Sequence, residues 1–215
     1  MNAKLITFEG PEGAGKTTLI KRLAARLEQL EMPILITREP GGSPLGARFR
    51  EMLLEHIEDR PTALTELLLY EADRIEHLEK IVRPALELGK LVLCDRFADA
   101  TTAYQGYGRG LDLETVRSLN ELVLRGLRPS RTYLLDLPVE AGLARTRGRL
   151  SADGRDESRF ESEQIEFHQR VRRGYLELAA AEPQRFCIVD AQLDPEALYA
   201  VVINDLLASL KTETP

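Results

Sequence analysis

The sequence predicts an α/β fold, a doubly wound parallel sheet of five strands with helices on both faces. Five short apolar runs are separated by long segments with helical periodicity, which is the strand and helix alternation of such folds. The runs are continuously apolar, as strands are when helices cover both faces of a sheet. Successive parallel strands in such a sheet are joined by right-handed crossovers.

The apolar runs and the capping residues predict the following strands and helices, given in chain order. The expected strands are Leu5–Glu9, Ile34–Arg38, Leu91–Asp95, residues 132–136 and Phe186–Asp190. The expected helices cover residues 19–30 after Thr17 and Thr18, a segment from Thr62 through residue 83, Leu113–Leu124 after the N-cap Asp112, and a last helix that begins at Asp194-Pro195. Asp before a helix and Pro at its first position are favoured because the first backbone N–H groups lack partners within the helix.

Length and composition restrict the class of protein. The 215 residues, 43% of them hydrophobic, suit one domain over residues 1–215. No run reaches the about 18 apolar residues of a membrane span, and the N-terminus lacks the features of a signal peptide, so a cytoplasmic protein is expected. The net charge of −6 argues against a nucleic-acid polymer as partner. Cys94 and Cys187 lie in apolar runs and are expected to be small buried side chains.

A phosphate-binding loop follows the first strand. Residues 10–17 match G-x-x-x-x-G-K-[ST] at every fixed position, and a strand precedes and a helix follows them. The residues expected to bind a nucleoside triphosphate are Gly10, Pro11, Glu12, Gly13, Ala14, Gly15, Lys16, Thr17 and Thr18. Backbone N–H groups and the helix N-terminus face the phosphates, Lys16 adds a positive charge, and the Thr17 hydroxyl can ligate Mg²⁺. The alternative is a glycine-rich turn that binds nothing.

Charged residues end three of the strands, where ligands gather in parallel sheets. Leu91–Asp95 resembles a Walker-B strand, whose terminal carboxylate, Asp95, holds Mg²⁺ near the triphosphate. Arg96 offers several donors to a second phosphate. The alternatives are a capping Asp and a surface ion pair. Glu39 and Asp136, at the ends of two other strands, are also expected to face the phosphate loop.

An arginine-rich segment suggests a mobile lid over residues 145–160. Its arginines, with those that follow, are Arg145, Arg147, Arg149, Arg155, Arg159, Arg170, Arg172 and Arg173. An arginine delivered on closure can neutralise the charge that phosphoryl transfer places on oxygen. Interspersed acidic residues leave a solvated helix–loop–helix as the alternative.

Several motifs, in order and spacing, together resemble bacterial thymidylate kinases over nearly the whole chain. Beyond residues 10–18 they are Thr37-Arg38-Glu39-Pro40-Gly41-Gly42, Tyr70-Glu71-Ala72-Asp73-Arg74, Asp95-Arg96-Phe97, Ala103-Tyr104-Gln105-Gly106, Asp136-Leu137-Pro138-Val139, Arg159-Phe160-Glu161, Arg170-Val171-Arg172 and Tyr175-Leu176. The resemblance implies transfer of the γ-phosphoryl group of ATP, with Mg²⁺, to thymidine 5′-monophosphate (dTMP) in dTTP biosynthesis. It also implies a P-loop NTPase-type sheet and a homodimer, for which the leucine-rich residues 64–78 offer an apolar face.

The resemblance also assigns residues to the acceptor nucleotide. Tyr70 would stack on thymine, Arg74 would donate to the base O4 atom, and Thr101 and Gln105 would read the rest of the base edge. Core packing is the alternative for Tyr70. Glu39 is placed in the same acceptor site.

The sugar and phosphate have their own expected contacts. Glu12 would accept a hydrogen bond from the 3′-hydroxyl, and Arg96 would bind the acceptor phosphate. Tyr104 would fill the space that a ribose 2′-hydroxyl needs, so that deoxyribose is selected.

Departures from the family pattern concern the base pocket and the lid. Tyr70-Glu71 replaces the more usual Phe-Ala, and Ala100 replaces Ser. The phosphate loop has no arginine at Pro11 or Ala14. The positive charge that neutralises the transferred phosphoryl group must therefore come from the lid, as in the lid-arginine subclass. The lid segment is longer than expected, which leaves Arg149, Arg155 and Arg159 as candidates, with Arg159 slightly favoured.

Two other functions compete with this one. A kinase for uridine or cytidine monophosphate would use the same scaffold, but a cytosine pocket needs an acceptor opposite the exocyclic amine. A GTP-dependent switch would share the phosphate loop and Asp95, but the chain has no Asn-Lys-x-Asp run for guanine.

Overall fold

A computed structural model describes residues 4–55, 60–146, 159–160 and 162–211. The strands are β1 (Leu5–Glu9), β2 (Ile34–Arg38), β3 (Leu91–Asp95), β4 (Arg131–Asp136) and β5 (Phe186–Asp190). The helices are α1 (Lys16–Gln29), α2 (Pro44–Leu54), α3 (Ala63–His77), α4 (Arg83–Glu87), α5 (Ala98–Thr101), α6 (Leu113–Leu124), α7 (Val139–Thr146), α8 (Ile165–Ala181) and α9 (Pro195–Lys211). The predicted five-stranded α/β fold is confirmed.

All strand pairs are parallel, in the order β2-β3-β1-β4-β5. β1 therefore lies at the centre, with β3 on one side and β4 on the other. The register pairs Phe8 with Asp95 and Glu9 with Leu134, so the ends of these strands lie side by side. The loop that follows β1 is thus placed next to the residues that follow β3, which brings the two predicted nucleotide motifs together.

Helices cover both faces of the central strands. Ile6 and Phe8 point to the face where α1 and α9 pack, and both side chains are fully buried. Leu5 points to the opposite face and packs with Val92 and residues of the α3–α4 region. A separate apolar cluster joins α8 to the turn after α5 and includes Tyr104. This cluster forms one wall of the site described below.

Several element boundaries differ from the prediction. α1 begins at Lys16, earlier than expected, because the phosphate loop ends directly in the helix with Gly15 as its N-cap. The segment after Thr62 is not one helix: α3 passes through a π-helical turn, Leu78–Val82, before α4. A second π-helical turn, Thr102–Gly108, follows α5. Such turns occur often at functional sites, and this one carries Tyr104 and Gln105.

The two cysteines differ in burial. Both cysteines are free, and Cys94 is buried, as expected. Cys187 is half-buried, so the expectation of a buried side chain is wrong for this residue, because it lies on β5 at the edge of the sheet.

Within the described ranges, no helix combines the length and apolar character that crossing a bilayer requires.

Candidate active site

The phosphate loop connects β1 to α1 and depends on glycine at two close approaches. Gly10 and Gly13 have φ angles of 133° and 73°, which L side chains rarely adopt. A Cβ atom on Gly10 would lie 2.3 Å from the Leu135 carbonyl oxygen, and one on Gly13 would lie 2.4 Å from the Gly142 carbonyl oxygen. The loop therefore packs directly on backbone, and its glycines are required by space as well as by conformation.

Lys16 lies over this loop. Its ammonium group donates hydrogen bonds to the carbonyl oxygens of Gly10 and Pro11, both at 2.9 Å. Burial and the neighbouring charge of Arg96 lower the pKa of Lys16 to about 8. The side chain is thus a positive charge held at the loop by weak backbone acceptors, which phosphate oxygens can replace.

Thr17 and Asp95, the two predicted Mg²⁺ ligands, lie in contact. The Thr17 hydroxyl donates a hydrogen bond of 2.7 Å to the Asp95 carboxylate. Both side chains offer oxygen atoms, the donors that Mg²⁺ prefers, and a nucleotide's phosphates and waters normally complete its octahedral shell. In the described part of the chain, no group of three or more His, Cys, Asp or Glu side chains could hold a metal. Two side-chain oxygens fit a Mg²⁺ ion whose remaining ligands are phosphate oxygens and waters.

Arg96 and Glu12 meet between the two predicted nucleotide sites. The Tyr104 hydroxyl donates to Glu12 Oε1 at 2.6 Å, and Arg96 Nη2 donates to the same oxygen at 3.2 Å. The Arg96 guanidinium also lies over the Tyr104 ring, 4.9 Å from its centroid. Burial alone would raise the pKa of Glu12, but the His168 ring, 3.7 Å from Oε2, together with Arg96 and Tyr104, lowers it to about 2. Glu12 is therefore a carboxylate at neutral pH.

Two cavities open on either side of this pair. The larger, about 500 Å³, is lined by Lys16, Thr17 and Asp95 among others. The smaller, about 170 Å³, is lined by every residue predicted to bind the acceptor nucleotide, namely Glu12, Glu39, Tyr70, Arg74, Arg96, Thr101, Tyr104 and Gln105. Glu12, Glu39, Arg50 and Arg96 line both cavities. The site is thus a pair of adjoining cavities that share a charged boundary.

Arg74 is buried in the wall of the smaller cavity, with 1% of its surface exposed, and makes five hydrogen bonds. Its hydrogen bonds run to Glu39 (2.8 Å), Glu71 (2.9 Å), Asn120 (2.9 Å), Thr101 (2.7 Å) and the Phe97 carbonyl oxygen (3.4 Å). The bonds to Thr101 and to the Phe97 carbonyl oxygen both come from Nη2, and the second is the longest, so that N–H of Nη2 is the one most easily released to a ligand. Its predicted hydrogen bond to the base O4 atom stays a prediction.

Glu39 is buried behind Arg74. One of its carboxylate oxygens accepts from Arg74 Nε, and the other lies 2.9 Å from His77 Nδ1. Thr37 contacts the other ring nitrogen of His77 at 2.6 Å. Glu39 therefore lines the predicted acceptor site and also fixes Arg74 through a buried ion pair. Its direct contact with the nucleotide stays a prediction.

Of the three candidate lid arginines, the structure describes Arg159. Arg149 and Arg155 lie outside the described residues. Arg159 is 1% exposed and donates to the Leu53 carbonyl oxygen and to the Glu66 carboxylate. It lines neither of the two cavities. This position does not favour Arg159 as the catalytic lid arginine, because its guanidinium is held by a buried carboxylate away from the phosphate loop, and the identity of that arginine stays a prediction.

Replacing Arg159 with alanine is expected to cost stability and little chemistry. Removing one partner of a buried ion pair typically costs about 3 to 5 kcal/mol, so the melting temperature should fall clearly, while kcat at a permissive temperature changes by less than about tenfold. Arg173→Ala is the control, because Arg173 is exposed and, within the described part of the chain, its ion pair is with Glu177 one turn away. A kcat reduced about 10³-fold with an unchanged melting temperature would restore Arg159 as the catalytic arginine.

The expectation for Asp136 is wrong. It was expected to face the phosphate loop, but it accepts hydrogen bonds of 2.7 and 2.8 Å from Arg172 and lines neither of the two cavities. Its carboxylate is committed to a bidentate ion pair between β4 and α8.

Sequence reasoning missed two groups of residues at the site. Arg50, on α2, lines both cavities, and the Ser43 side chain caps this helix by accepting from the Gly46 backbone N–H. Ser43-Pro44 is a helix start signal that could have identified α2. Glu66 and His168 are buried and hold site residues in place from behind, and no local motif identifies either one.

Comparison with known proteins agrees with this geometry. A model of the family described as thymidylate kinase matches residues 8–201. The thymidylate kinase of Trichlorobacter lovleyi is 50% identical over 206 residues, which cover 95% of this chain and 97% of the relative. That of Syntrophotalea carbinolica is 54% identical over 187 residues, covering 86% and 87%. The crystal structure of thymidylate kinase from Ehrlichia chaffeensis superposes with a TM-score of 0.77 at 34% identity, covering 96% of this chain and 99% of the other. This chain belongs to the thymidylate kinase family.

Proposed function

We propose that this protein transfers the γ-phosphoryl group of ATP to dTMP, yielding ADP and thymidine diphosphate on the route to dTTP. The observation that carries the proposal is the pair of adjoining cavities, one beside the phosphate loop and one lined by the expected base and sugar contacts. Arg96 stands on the boundary that they share. Fold alone would not support this conclusion, since P-loop folds carry many activities.

The smaller cavity suits the thymidine part of the acceptor. Tyr70 provides an aromatic surface for the base, and Thr101 and Gln105 provide polar groups for its edge. Glu12 is a carboxylate that can accept from the sugar 3′-hydroxyl. These contacts would place the 5′-phosphate toward Arg96, at the boundary with the larger cavity.

The larger cavity suits the reacting phosphates. Lys16 would exchange its two backbone acceptors for phosphate oxygens, and Thr17 and Asp95 would hold Mg²⁺. The metal supplies neutralisation of the negative charge on the phosphate oxygens. The phosphate loop and α1 already hold Lys16 and Thr17, and β3 holds Asp95. Little reorganisation of these side chains is therefore needed when charge develops on the transferred phosphoryl group.

The reaction is an in-line transfer of the γ-phosphoryl group to the acceptor phosphate. An oxygen of the acceptor phosphate forms a bond to the γ-phosphorus, the bond from that phosphorus to the bridging β-oxygen breaks, and ADP leaves with the electron pair. Arg96 holds the acceptor phosphate against the repulsion of the triphosphate, and Lys16 follows the charge of the transferred group. One of the lid arginines Arg149 and Arg155 is proposed to complete this neutralisation.

A panel of nucleoside monophosphates tests the function and its sugar selectivity together. The Tyr104 ring is fixed by its 2.6 Å hydrogen bond to Glu12 and by edge contacts with Phe160 and Phe167, so it cannot move aside for a 2′-hydroxyl. We expect kcat/KM for dTMP to exceed that for the ribose form by at least about 100-fold in an ADP-release assay. Tyr104→Ala should narrow this ratio.

Tyr107→Ala is the matched control for Tyr104→Ala. Tyr107 lies in the same π-helical turn, but its hydroxyl donates to Glu177 and it lines neither of the two cavities. Equal kcat/KM for the two sugars in the unmodified protein would contradict the role of Tyr104. A preference for cytidine or uridine monophosphate would contradict the proposed acceptor.

Activity should decline at alkaline pH because of Lys16. Its pKa of about 8 means that the ammonium form, which binds phosphate, prevails below pH 8 and is lost as the pH rises through this value. Phosphate monoesters complete their ionisation near a pKa of about 6, so they do not titrate in this range. We expect kcat/KM for ATP to fall about tenfold per pH unit above this pKa. A flat profile from pH 7 to 10 would contradict the expectation.

We also propose that the protein is a homodimer with one kinase domain per chain over residues 1–215. Leu64 and Leu68 on α3 are about half exposed, as is Met52 on the neighbouring α2, which supports an apolar contact face there. We place the reaction in the cytoplasm, the compartment that holds the ATP it consumes.

A further inference from the structure

Glu66 lies at the centre of a buried ion cluster behind the smaller cavity. Its side chain is fully buried on α3 and lines neither of the two cavities. Its Oε1 atom accepts from Gln105 Nε2 at 2.8 Å and from Arg109 Nε at 3.1 Å. Its Oε2 atom accepts from Arg109 Nη2 at 3.2 Å and from Arg159 Nη2. A single carboxylate thus binds one amide and two guanidinium groups.

This arrangement fixes the orientation of the Gln105 amide. The Glu66 carboxylate offers only acceptors, so Gln105 must turn its NH₂ group toward Glu66. The amide oxygen of Gln105 is then the atom left for the cavity that this residue lines. A rotation of the amide by 180° would set oxygen against oxygen in a buried site and is strongly disfavoured.

The orientation of this amide matters for the choice of base. Thymine and uracil carry a hydrogen on N3 and donate there, whereas the N3 atom of cytosine is an acceptor. An amide oxygen directed at the base edge can accept a hydrogen bond from the N3–H group of thymine or uracil. The N3 acceptor of cytosine repels the same oxygen. Discrimination through such polar contacts is strong, because a mismatch leaves buried groups without partners.

We propose that Glu66 is a specificity-determining positioning residue, which acts through Gln105 to select a base with an N3–H donor over cytosine. The proposal rests on the proposed function, in which Gln105 reads the base edge. Glu66 itself does not touch the nucleotide. The structure assigns it the second task of holding Arg159 and Arg109.

The replacement Glu66→Gln tests this proposal. The new amide has one oxygen, and the two charged donors at the Oε2 position, from Arg109 and Arg159, attract it most strongly. The new NH₂ group then takes the Oε1 position, where it faces Arg109 Nε and Gln105. The Gln105 amide must rotate and present its own NH₂ group to the cavity. We expect the ratio of kcat/KM for dTMP to that for dCMP to fall at least about tenfold, chiefly through KM.

Glu163→Gln is the matched control. Glu163 accepts from Arg109 at 2.9 Å and from Arg60 at 3.1 Å, so the change weakens the same arginine cluster without altering the partner of Gln105. Its dTMP to dCMP ratio should equal that of the unmodified protein. A merely structural role for Glu66 would instead lower the melting temperature of both variants and leave both ratios unchanged.

Two further variants separate the possible failures. Gln105→Ala should itself lower the ratio, and Glu66→Gln added to it should produce no further loss. If Gln105→Ala leaves the ratio unchanged, the proposed role of Gln105 in base reading fails. If Gln105→Ala lowers the ratio but Glu66→Gln does not, the inference about Glu66 alone is overturned.

Glu66→Asp decides the question if Glu66→Gln does not fold. The shorter side chain keeps the charge for Arg109 and Arg159 but withdraws from Gln105. A reduced dTMP to dCMP ratio in this variant supports the proposal, and an unchanged ratio overturns it.

Discussion

Replacing Lys16 with alanine is expected to lower kcat by about 10³-fold or more while the protein stays folded. Among the described residues, the Lys16 ammonium donates hydrogen bonds to the carbonyl oxygens of Gly10 and Pro11, so its loss breaks no hydrogen-bonded ion pair with a buried carboxylate. In the proposed reaction, however, Lys16 brings a positive charge to the transferred group, and alanine cannot supply that charge. Single-turnover ADP formation and thermal unfolding together measure the effect.

The control for Lys16→Ala is Lys80→Ala, because Lys80 is exposed in the turn between α3 and α4. This variant should match the unmodified protein in rate and in melting temperature. Near-normal turnover of Lys16→Ala would mean that the phosphate loop does not carry the chemistry. Unfolding of this variant would mean that Lys16 has a structural role that its two backbone contacts do not indicate.

The second large effect is expected for Arg96→Lys, with kcat/KM for dTMP lowered about 100-fold. Arg96 donates to Gly10, Glu12 and the Tyr175 hydroxyl at 3.1 to 3.2 Å and also faces the boundary of both cavities. A lysine keeps the charge but has no planar fork that can hold these contacts and a phosphate at once. Initial rates at varied dTMP give the ratio.

Arg131→Lys provides the comparison for Arg96→Lys. Arg131 also makes a bidentate contact, with Asp205 at 2.7 and 3.0 Å, but it lies on β4 and lines neither of the two cavities. Its replacement should leave kcat/KM for dTMP unchanged within about twofold. If the two variants lose activity equally, the effect of Arg96→Lys is a general loss of packing and not the loss of a phosphate contact.

The sheet was predictable because its strands are short, apolar and separated by helical periodicity. Leu91–Asp95 illustrates the point, since four of its five residues are buried and its bounds match the apolar run. The π-helical turn that carries Tyr104 and Gln105 was not predictable, because it depends on packing against α8 and not on local propensity. α2 was missed although Ser43-Pro44 marks its start.

Motifs identified residues that the fold brings together. Asp95, the residues expected to contact the base, and part of the phosphate loop (Glu12, Gly13, Lys16 and Thr17) line the two cavities, although they come from distant parts of the chain. Arg159 shows what a local pattern cannot reveal. It has the residue type and position of a lid arginine, but its partner Glu66 is 93 residues away in sequence, and only the folded structure brings the two together. The same is true of the contact between His168 and Glu12.

The acceptor is proposed to occupy the smaller cavity and to meet the donor phosphates at Arg96. A crystal structure of the protein with dTMP and Mg·ADP decides this point. We expect thymine against Tyr70 with Gln105 at its edge, the 3′-hydroxyl at Glu12, and the 5′-phosphate bound by Arg96 on the side that faces Lys16. A dTMP molecule bound with its base in the larger cavity, or with its phosphate away from Arg96, would contradict the proposed arrangement.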